Sequence, residues 1–254
     1  MRLTAFIGLI ILSSVVAWGA RAGEALTPDS NLDTILDALH ARGQDLKDFT
    51  ADVVLHTLDE RTGQDTAQVG KVVYQKQGAG DSRIRVSFDK KKLESGATQT
   101  QKLDYLLEKG WLTDRDHQKK LEVKRQVVAP GEKMDLLKLG EGPFPLPIGQ
   151  DKAKVREQFE VTKMPPADTD PKGTVHVKLE PKKGTQFAKR FAQIDVYVDP
   201  KTNMPSRIDT VEKGGTTRST ELNNLKINAG VKDDQFTLPA PEGDGWNRRE
   251  ERFE

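Results

Sequence analysis

The sequence predicts a mainly β, α+β chain: one large curved antiparallel sheet of about ten strands, with a helix ahead of it and two short helices in mid-chain. Three observations carry this. From Phe49 onward apolar residues recur with a period of two. Turn signals separate most of these alternating stretches, and helical spacing is confined to a few places.

Taken in order, the chain opens with Met1-Arg2, an apolar run from Leu3 to Trp18, and "ARAGEA". A short positive start, an apolar core and Ala20-Arg21-Ala22 as a small-x-small site predict an export leader, residues 1–22, cleaved near Ala22. The run is broken by Ser13 and Ser14 and is shorter than the roughly 20 apolar residues of a membrane-spanning helix. The next element is a helix. In "NLDTILDALHARGQDL", Leu32, Ile35, Leu36 and Leu39 fall at helical spacing, with "TPDSN" supplying cap residues.

The sheet begins at "FTADVVLHTL", which sets Phe49, Ala51, Val53 and Leu55 on one face and Thr50, Asp52 and His56 on the other. "SRIRVSF" repeats the pattern with Ile84, Val86 and Phe88 in, and Arg83, Arg85 and Ser87 out. Further strands are expected at "VGKVVYQK", "QKLDYLL", "KKLEVKRQVV", "TVHVKLEP", "AQIDVYVD", "SRIDTVEK", "STELNNLKI" and "DQFTLP". The turn signals "ERTGQD", "EKG", "DPKTNMP" and "KGGT" make the connections short and the pairing mostly antiparallel. One apolar face per strand means one packed face and one wetted face, and a sheet of this size curls.

Mid-chain, "GEKMDLLKLG" and "DKAKVREQF" predict two shorter helices flanking "EGPFPLPIG". There Phe144, Leu146 and Ile148 alternate with Pro143, Pro145 and Pro147. The prolines hold the stretch extended without amide donors that would need partners. The three apolar side chains therefore read as a lid over the sheet's apolar face. One β domain over 23–246 is expected, then a polar, frayed tail, 247–254.

Composition narrows the function classes. The chain has no cysteine, so an exported domain must fold on its core alone, and thiol chemistry is excluded. Without Arg2 and Arg21, Lys+Arg falls from 40 to 38 against 39 acidic residues, a net charge of −1. That balance argues against nucleic acid as the partner.

Sites of chemistry are not assembled by the sequence. His40, His56, His117 and His176 are scattered, never at metal-ligand spacing, and read as solvated or second-layer residues; no metal or cofactor is expected. No G-x-S-x-G elbow or phosphate loop occurs. "DRDH" at Asp114 to His117, Asp233-Asp234, and Lys90-Lys91-Lys92 read as solvated loop charge. No catalytic residues emerge, and a non-enzyme is expected.

With these segments in order, the chain resembles the LolA/LolB-like periplasmic lipoprotein carriers, the outer-membrane lipoprotein-sorting proteins. The likeness runs from Leu32 to Trp246. It is carried by the opening "F-x-A-x-V" strand, the "EKGWLTDRDHQKKLEV" hairpin and the ending "N-x-x-x-x-x-x-F-x-L-P-x-P-x-G". "GEGPFPLPIGQ" marks a divergent branch. The family also places a basic residue with proline just after the second strand, tied to lid closure and cargo transfer. "QKQGAGDSRIR" has no proline there, and Arg83 and Arg85 match only loosely.

The resemblance implies an unclosed antiparallel barrel with helices plugging its mouth and an apolar cavity beneath. It implies a soluble, monomeric periplasmic carrier of lipoprotein acyl chains, or of a lipid, moving toward the outer membrane. Inner- and outer-membrane transfer proteins would be its partners. The lining expected from strand alternation is Phe49, Val53, Leu55, Ile84, Val86, Phe88, Leu103, Tyr105, Ile194, Val196 and Val198, with Phe144, Leu146 and Ile148 as lid. Taking an acyl chain of about 16 carbons out of water is favourable by on the order of 12 kcal/mol gross, at roughly 0.8 kcal/mol per methylene. The alternative on the same fold is a non-enzymatic module that senses lipoproteins or envelope stress and signals to a protein partner.

Overall fold

The structure, a computed structural model, describes residues 26–78, 80–129, 131–132, 136 and 148–253. The expected leader at 1–22, most of "GEKMDLLKLG", and Phe144 and Leu146 lie outside the described residues.

Helix α1 spans Leu32–Asp45. Asn31 starts it, its side-chain oxygen accepting from the Thr34 amide at 2.9 Å and satisfying one of the free first-turn donors. Ile35, Leu36, Ala38 and Leu39 recur on one face and are buried.

Among the described residues twelve strands follow in one sheet. Strands β1 (Asp48–Asp59), β2 (Gln64–Lys76), β3 (Ser82–Leu93), β4 (Thr98–Glu108), β5 (Trp111–Asp116) and β6 (Leu121–Gln126) form a meander. After α2 (Lys152–Gln158), strands β7 (Phe159–Lys163), β8 (Val175–Pro181), β9 (Phe191–Asp199), β10 (Met204–Glu212) and β11 (Thr216–Ile227) form a second, with α3 (Phe187–Arg190) before β9. The sheet order is β12-β6-β5-β4-β3-β2-β1-β11-β10-β9-β8-β7, so the β1–β11 pair joins the two meanders. Strand β12 (Asn247–Glu251) pairs with β6 in parallel; the other pairs are antiparallel. β12 and β7 are the two free edges, so the sheet curves without closing.

Local chemistry explains the curl. Register shifts interrupt three ladders, β1–β11 at Thr50/Asp52, β2–β3 at Val69/Gly70 and β3–β4 at Phe88/Lys90, with the extra residue on β11, β3 and β4 respectively. Each extra residue bends its strand and increases the twist. The β4–β5 hairpin turns tightly through Lys109 and Gly110, both at positive φ, the conformation a two-residue turn between twisted strands requires.

The structure departs from the sequence reading in four places. "DQFTLP" is not a strand: Asp233–Phe236 is a 3-10 turn whose continuation crosses the outer sheet face. β7 is a strand not singled out, because its residues continue the helical window of α2, whereas β5 is the first strand of the "EKGWLTDRDHQKKLEV" hairpin. The tail "NRREE" is not frayed but is β12, held by its parallel ladder and an Arg125–Glu251 ion pair at 2.7 Å. Lys90, Lys91 and Lys92 lie within β3, not in a loop.

One hydrophobic core fills the concave side. It combines Ile35, Leu36 and Leu39 of α1 with Phe159, Leu179, Ile194, Val196 and Val198 from the β7–β10 half. α1 is fixed over that half: the Arg42 Nε donates to the Thr202 carbonyl at 2.7 Å in the β9–β10 turn, and the Lys152 ammonium of α2 meets Asp37 at 2.8 Å.

Candidate binding cavity

α1 and α2 cover the β7–β10 half, and among the described residues no helix covers the concave face of β1–β5. A cavity of about 270 Å³ lies there. Its wall is built by strand alternation: Phe49, Val53 and Leu55 from β1, Gln68 and Val72 from β2, Ile84, Val86 and Phe88 from β3. Tyr105 and Leu107 of β4, Leu112 of β5, Ile208 of β10, and Thr220 and Leu222 of β11 complete it. Cross-strand register puts these on one face, for example Val86 opposite both Val72 and Tyr105.

The cavity is asymmetric. At one end Phe49 and Tyr74 are buried and stack with ring centroids 5.3 Å apart. Leu136 belongs to the same buried core, its amide donating to the Ser82 Oγ at the start of β3 at 2.9 Å. Toward the other end Leu55, Gln68 and Thr220 are only half-buried.

Seven of the eleven lining residues expected from sequence line this cavity: Phe49, Val53, Leu55, Ile84, Val86, Phe88 and Tyr105. Leu103 is buried on the same face outside it. Ile194, Val196 and Val198 are fully buried core, because α1 shares their half of the sheet. The sequence reading passed over Val72, Leu107, Leu112, Ile208 and Leu222; strand parity in "VGKVVYQK", "QKLDYLL", "SRIDTVEK" and "STELNNLKI", and for Leu112 in the "EKGWLTDRDHQKKLEV" hairpin, was the available signal. Nothing local marks Gln68 or Thr220.

Of the lid residues, Ile148 is described and is buried. Gly149 beside it is clamped to α1: its amide donates to the Leu39 carbonyl at 3.0 Å, while His40 Nδ1 and Gln44 Nε2 meet its carbonyl oxygen at 3.1 and 3.3 Å.

Titratable groups approach the cavity on the β5 side. Tyr105 stands opposite Asp114 in the β4–β5 ladder. Burial pushes the Tyr105 phenol up, and the carboxylates of Asp114 and Asp116 add to the rise. Burial also raises the half-buried Asp114 carboxyl, against the pull of Arg125. "DRDH" is therefore not a solvated loop: Asp114 and Asp116 belong to β5, and His117 pairs with Asp104 at 2.9 Å.

Arg83 and Arg85 point to the opposite, convex face. Arg83 is buried, donating to Gln75 and Glu108 at 3.0 Å each, pairing with Asp233, and lying 4.0 Å from the centre of the Phe236 ring. Arg85 bonds Asp104 at 2.8 Å and the carbonyls of Gln235 and Thr237 at 3.1 Å. Together with Arg115, which donates to the Pro239 carbonyl at 2.8 Å, they strap the C-terminal segment across the sheet. A larger hollow of about 620 Å³ lies under that strap, between Arg83, Glu108, Trp111, Arg115 and Phe236. Its wall mixes ion pairs with apolar groups, so it lacks the uniform chemistry of the concave cavity.

His176 also departs from expectation. It is not solvated: its Nε2 lies 2.8 Å from Asp195 and its Nδ1 3.6 Å from Asp170, and its ring stacks on Tyr197 at 4.3 Å. Among the described residues no cluster of three histidine, aspartate or glutamate side chains could hold a metal ion.

No family model matches the chain, and no curated protein does. Solved structures similar to it include the Pseudomonas aeruginosa MucA/MucB complex, at 13% identity over 81% of this chain and 60% of that one, TM-score 0.46. This chain thus spans about three fifths of that one. LprF from Mycobacterium bovis is 17% identical over 83% and 97%, TM-score 0.42. A LolA superfamily protein from Nitrosomonas europaea is 9% identical over 80% and 97%, TM-score 0.31. The fold itself, one curved unclosed sheet with helices over its concave side, is the LolA-like architecture that the sequence resemblance implies.

Proposed function

We propose that the protein is an exported, non-enzymatic periplasmic carrier that holds acyl chains of lipoproteins, or of a lipid, in the concave cavity and moves them toward the outer membrane. The supporting observation is the cavity: twelve of its fourteen lining residues are aliphatic or aromatic. Residues 1–22 would direct export, and donor and acceptor proteins at the two membranes would load and unload the cargo.

Cavity size sets what the resting state can hold. A dry apolar cavity of about 150 Å³ accepts the six carbons of benzene, so about 270 Å³ suits on the order of ten carbons. Burying ten methylenes is favourable by roughly 8 kcal/mol gross, offset by the ordering of chain and protein. A longer chain needs the cover to move, and the cover in this reading comprises Phe144, Leu146 and Ile148.

The test is titration with the apolar fluorophore N-phenyl-1-naphthylamine. The native chain should bind it in the micromolar range, and Val86→Asp, which places a charge on the half-buried wall, should weaken uptake tenfold or more while leaving the β circular dichroism intact. Equal uptake by both proteins would exclude the concave cavity as the site.

A further inference from the structure

The cavity wall carries a hydrogen-bonding row at its open end. Gln68 of β2 and Thr220 of β11 both stand opposite Leu55, one on each side of β1. Gln68 Nε2 donates to Gln101 Oε1 at 2.9 Å, which brings a second carboxamide from β4 to the same edge. Gln68 and Thr220 are the two polar positions in an otherwise aliphatic or aromatic lining, and neither carries charge.

This row sits where burial ends. Along β1, Phe49, Ala51 and Val53 are buried, whereas Leu55 is half-buried, and at the buried end Phe49 stacks on the buried Tyr74. A ligand therefore has one way to lie: the hydrocarbon terminus toward Phe49, and whatever polar group it bears beside Gln68, Gln101 and Thr220. A single mutual bond leaves each carboxamide with capacity to spare, a further N–H on Gln68 and both N–H groups on Gln101, and the Thr220 hydroxyl lines the same cavity from across β1. These neutral donors suit a carbonyl oxygen. A few placed polar groups in an apolar wall are also how such pockets fix orientation.

We propose that Gln68, Gln101 and Thr220 form a head subsite that hydrogen-bonds the carbonyl of a single acyl chain, inserted tail-first, joined by a neutral ester or amide linkage. The inference rests on the carrier reading and adds the ligand's orientation and linkage class to it. The ester source would be a lipid, the amide source an N-acylated peptide.

The experiment displaces N-phenyl-1-naphthylamine with 1-monolauroylglycerol, with an N-lauroylated peptide, and with 1-O-dodecylglycerol, which matches the first in chain but has an ether in place of the ester. The native chain should prefer the carbonyl compounds to the ether by about tenfold, the worth of one or two neutral hydrogen bonds. The double variant Gln68→Leu/Gln101→Leu should lose that preference, and an unchanged β circular dichroism reports that it is folded. Whichever carbonyl compound displaces better identifies the source, lipid or acylated peptide. Equal displacement by ester and ether in the native chain overturns the head subsite and leaves the carrier reading standing. Failure of the native chain to bind the fluorophore overturns both.

Discussion

Gly43 of α1 and Gly149 meet backbone to backbone: a Cβ placed on Gly43 would fall 2.2 Å from the Gly149 Cα. The contact holds the end of the proline-rich stretch against the helix, where the Gly149 amide donating to Leu39 and its carbonyl meeting His40 and Gln44 reinforce it. Gly149 itself sits at φ +76, a backbone conformation that other residues adopt only with strain. The segment bearing the expected cover is thus pinned at its C-terminal end.

Gly43→Ala should therefore separate the two backbones. Overpacking of this kind costs about 1–3 kcal/mol, which for a chain of this size lowers Tm by several degrees. Thermal denaturation checks it. An unchanged Tm would mean that the helix and the segment yield freely.

Leu146→Asp tests the cover separately. If Leu146 closes the cavity, a carboxylate there should weaken N-phenyl-1-naphthylamine uptake several-fold without altering the sheet's circular dichroism. Identical binding curves would remove Leu146 from the cover.

Arg83→Ala should behave in the opposite way. Arg83 is buried on the convex face, and its loss strands Glu108 and frees Asp233 and Phe236. The expected cost is about 2–4 kcal/mol in urea unfolding, with fluorophore affinity unchanged. A large loss of binding with stability intact would tie this arginine to the cavity after all.

Asp114 supplies a pH signature. Its carboxyl is raised, first by burial, so the folded state disfavours its ionised form. The resulting penalty is present above the raised pKa and vanishes as pH falls through it toward the unfolded value. Asp114→Asn should accordingly raise Tm at neutral pH, by no more than about 2 °C because the group is half-exposed and screened, and the gain should shrink below about pH 4. A gain that grew on acidification would reverse the assignment.

Much of the fold was legible because strand parity is local. Phe49, Val53, Leu55, Ile84, Val86 and Phe88 share a face by spacing alone, and that face is the cavity wall. The same parity placed Ile194, Val196 and Val198 on the wall, where they are buried core instead. Alternation says which side of a strand is apolar, not which half of the sheet a helix will cover. That depends on long-range anchors such as Arg42 to Thr202. β12 was illegible for a similar reason: "NRREE" has no apolar face, and its strand comes from the neighbouring β6 ladder. His176 was misread because Asp170, which comes from the loop before β8, lies outside any strand pattern.

The most direct measurement of the central claim is mass spectrometry of the organic extract from protein purified gently from its native envelope. The account predicts one acyl-bearing lipid or acylated peptide per chain, displaced by N-phenyl-1-naphthylamine and absent from the Val86→Asp variant. A ligand-free chain that also fails to take up the fluorophore would contradict it.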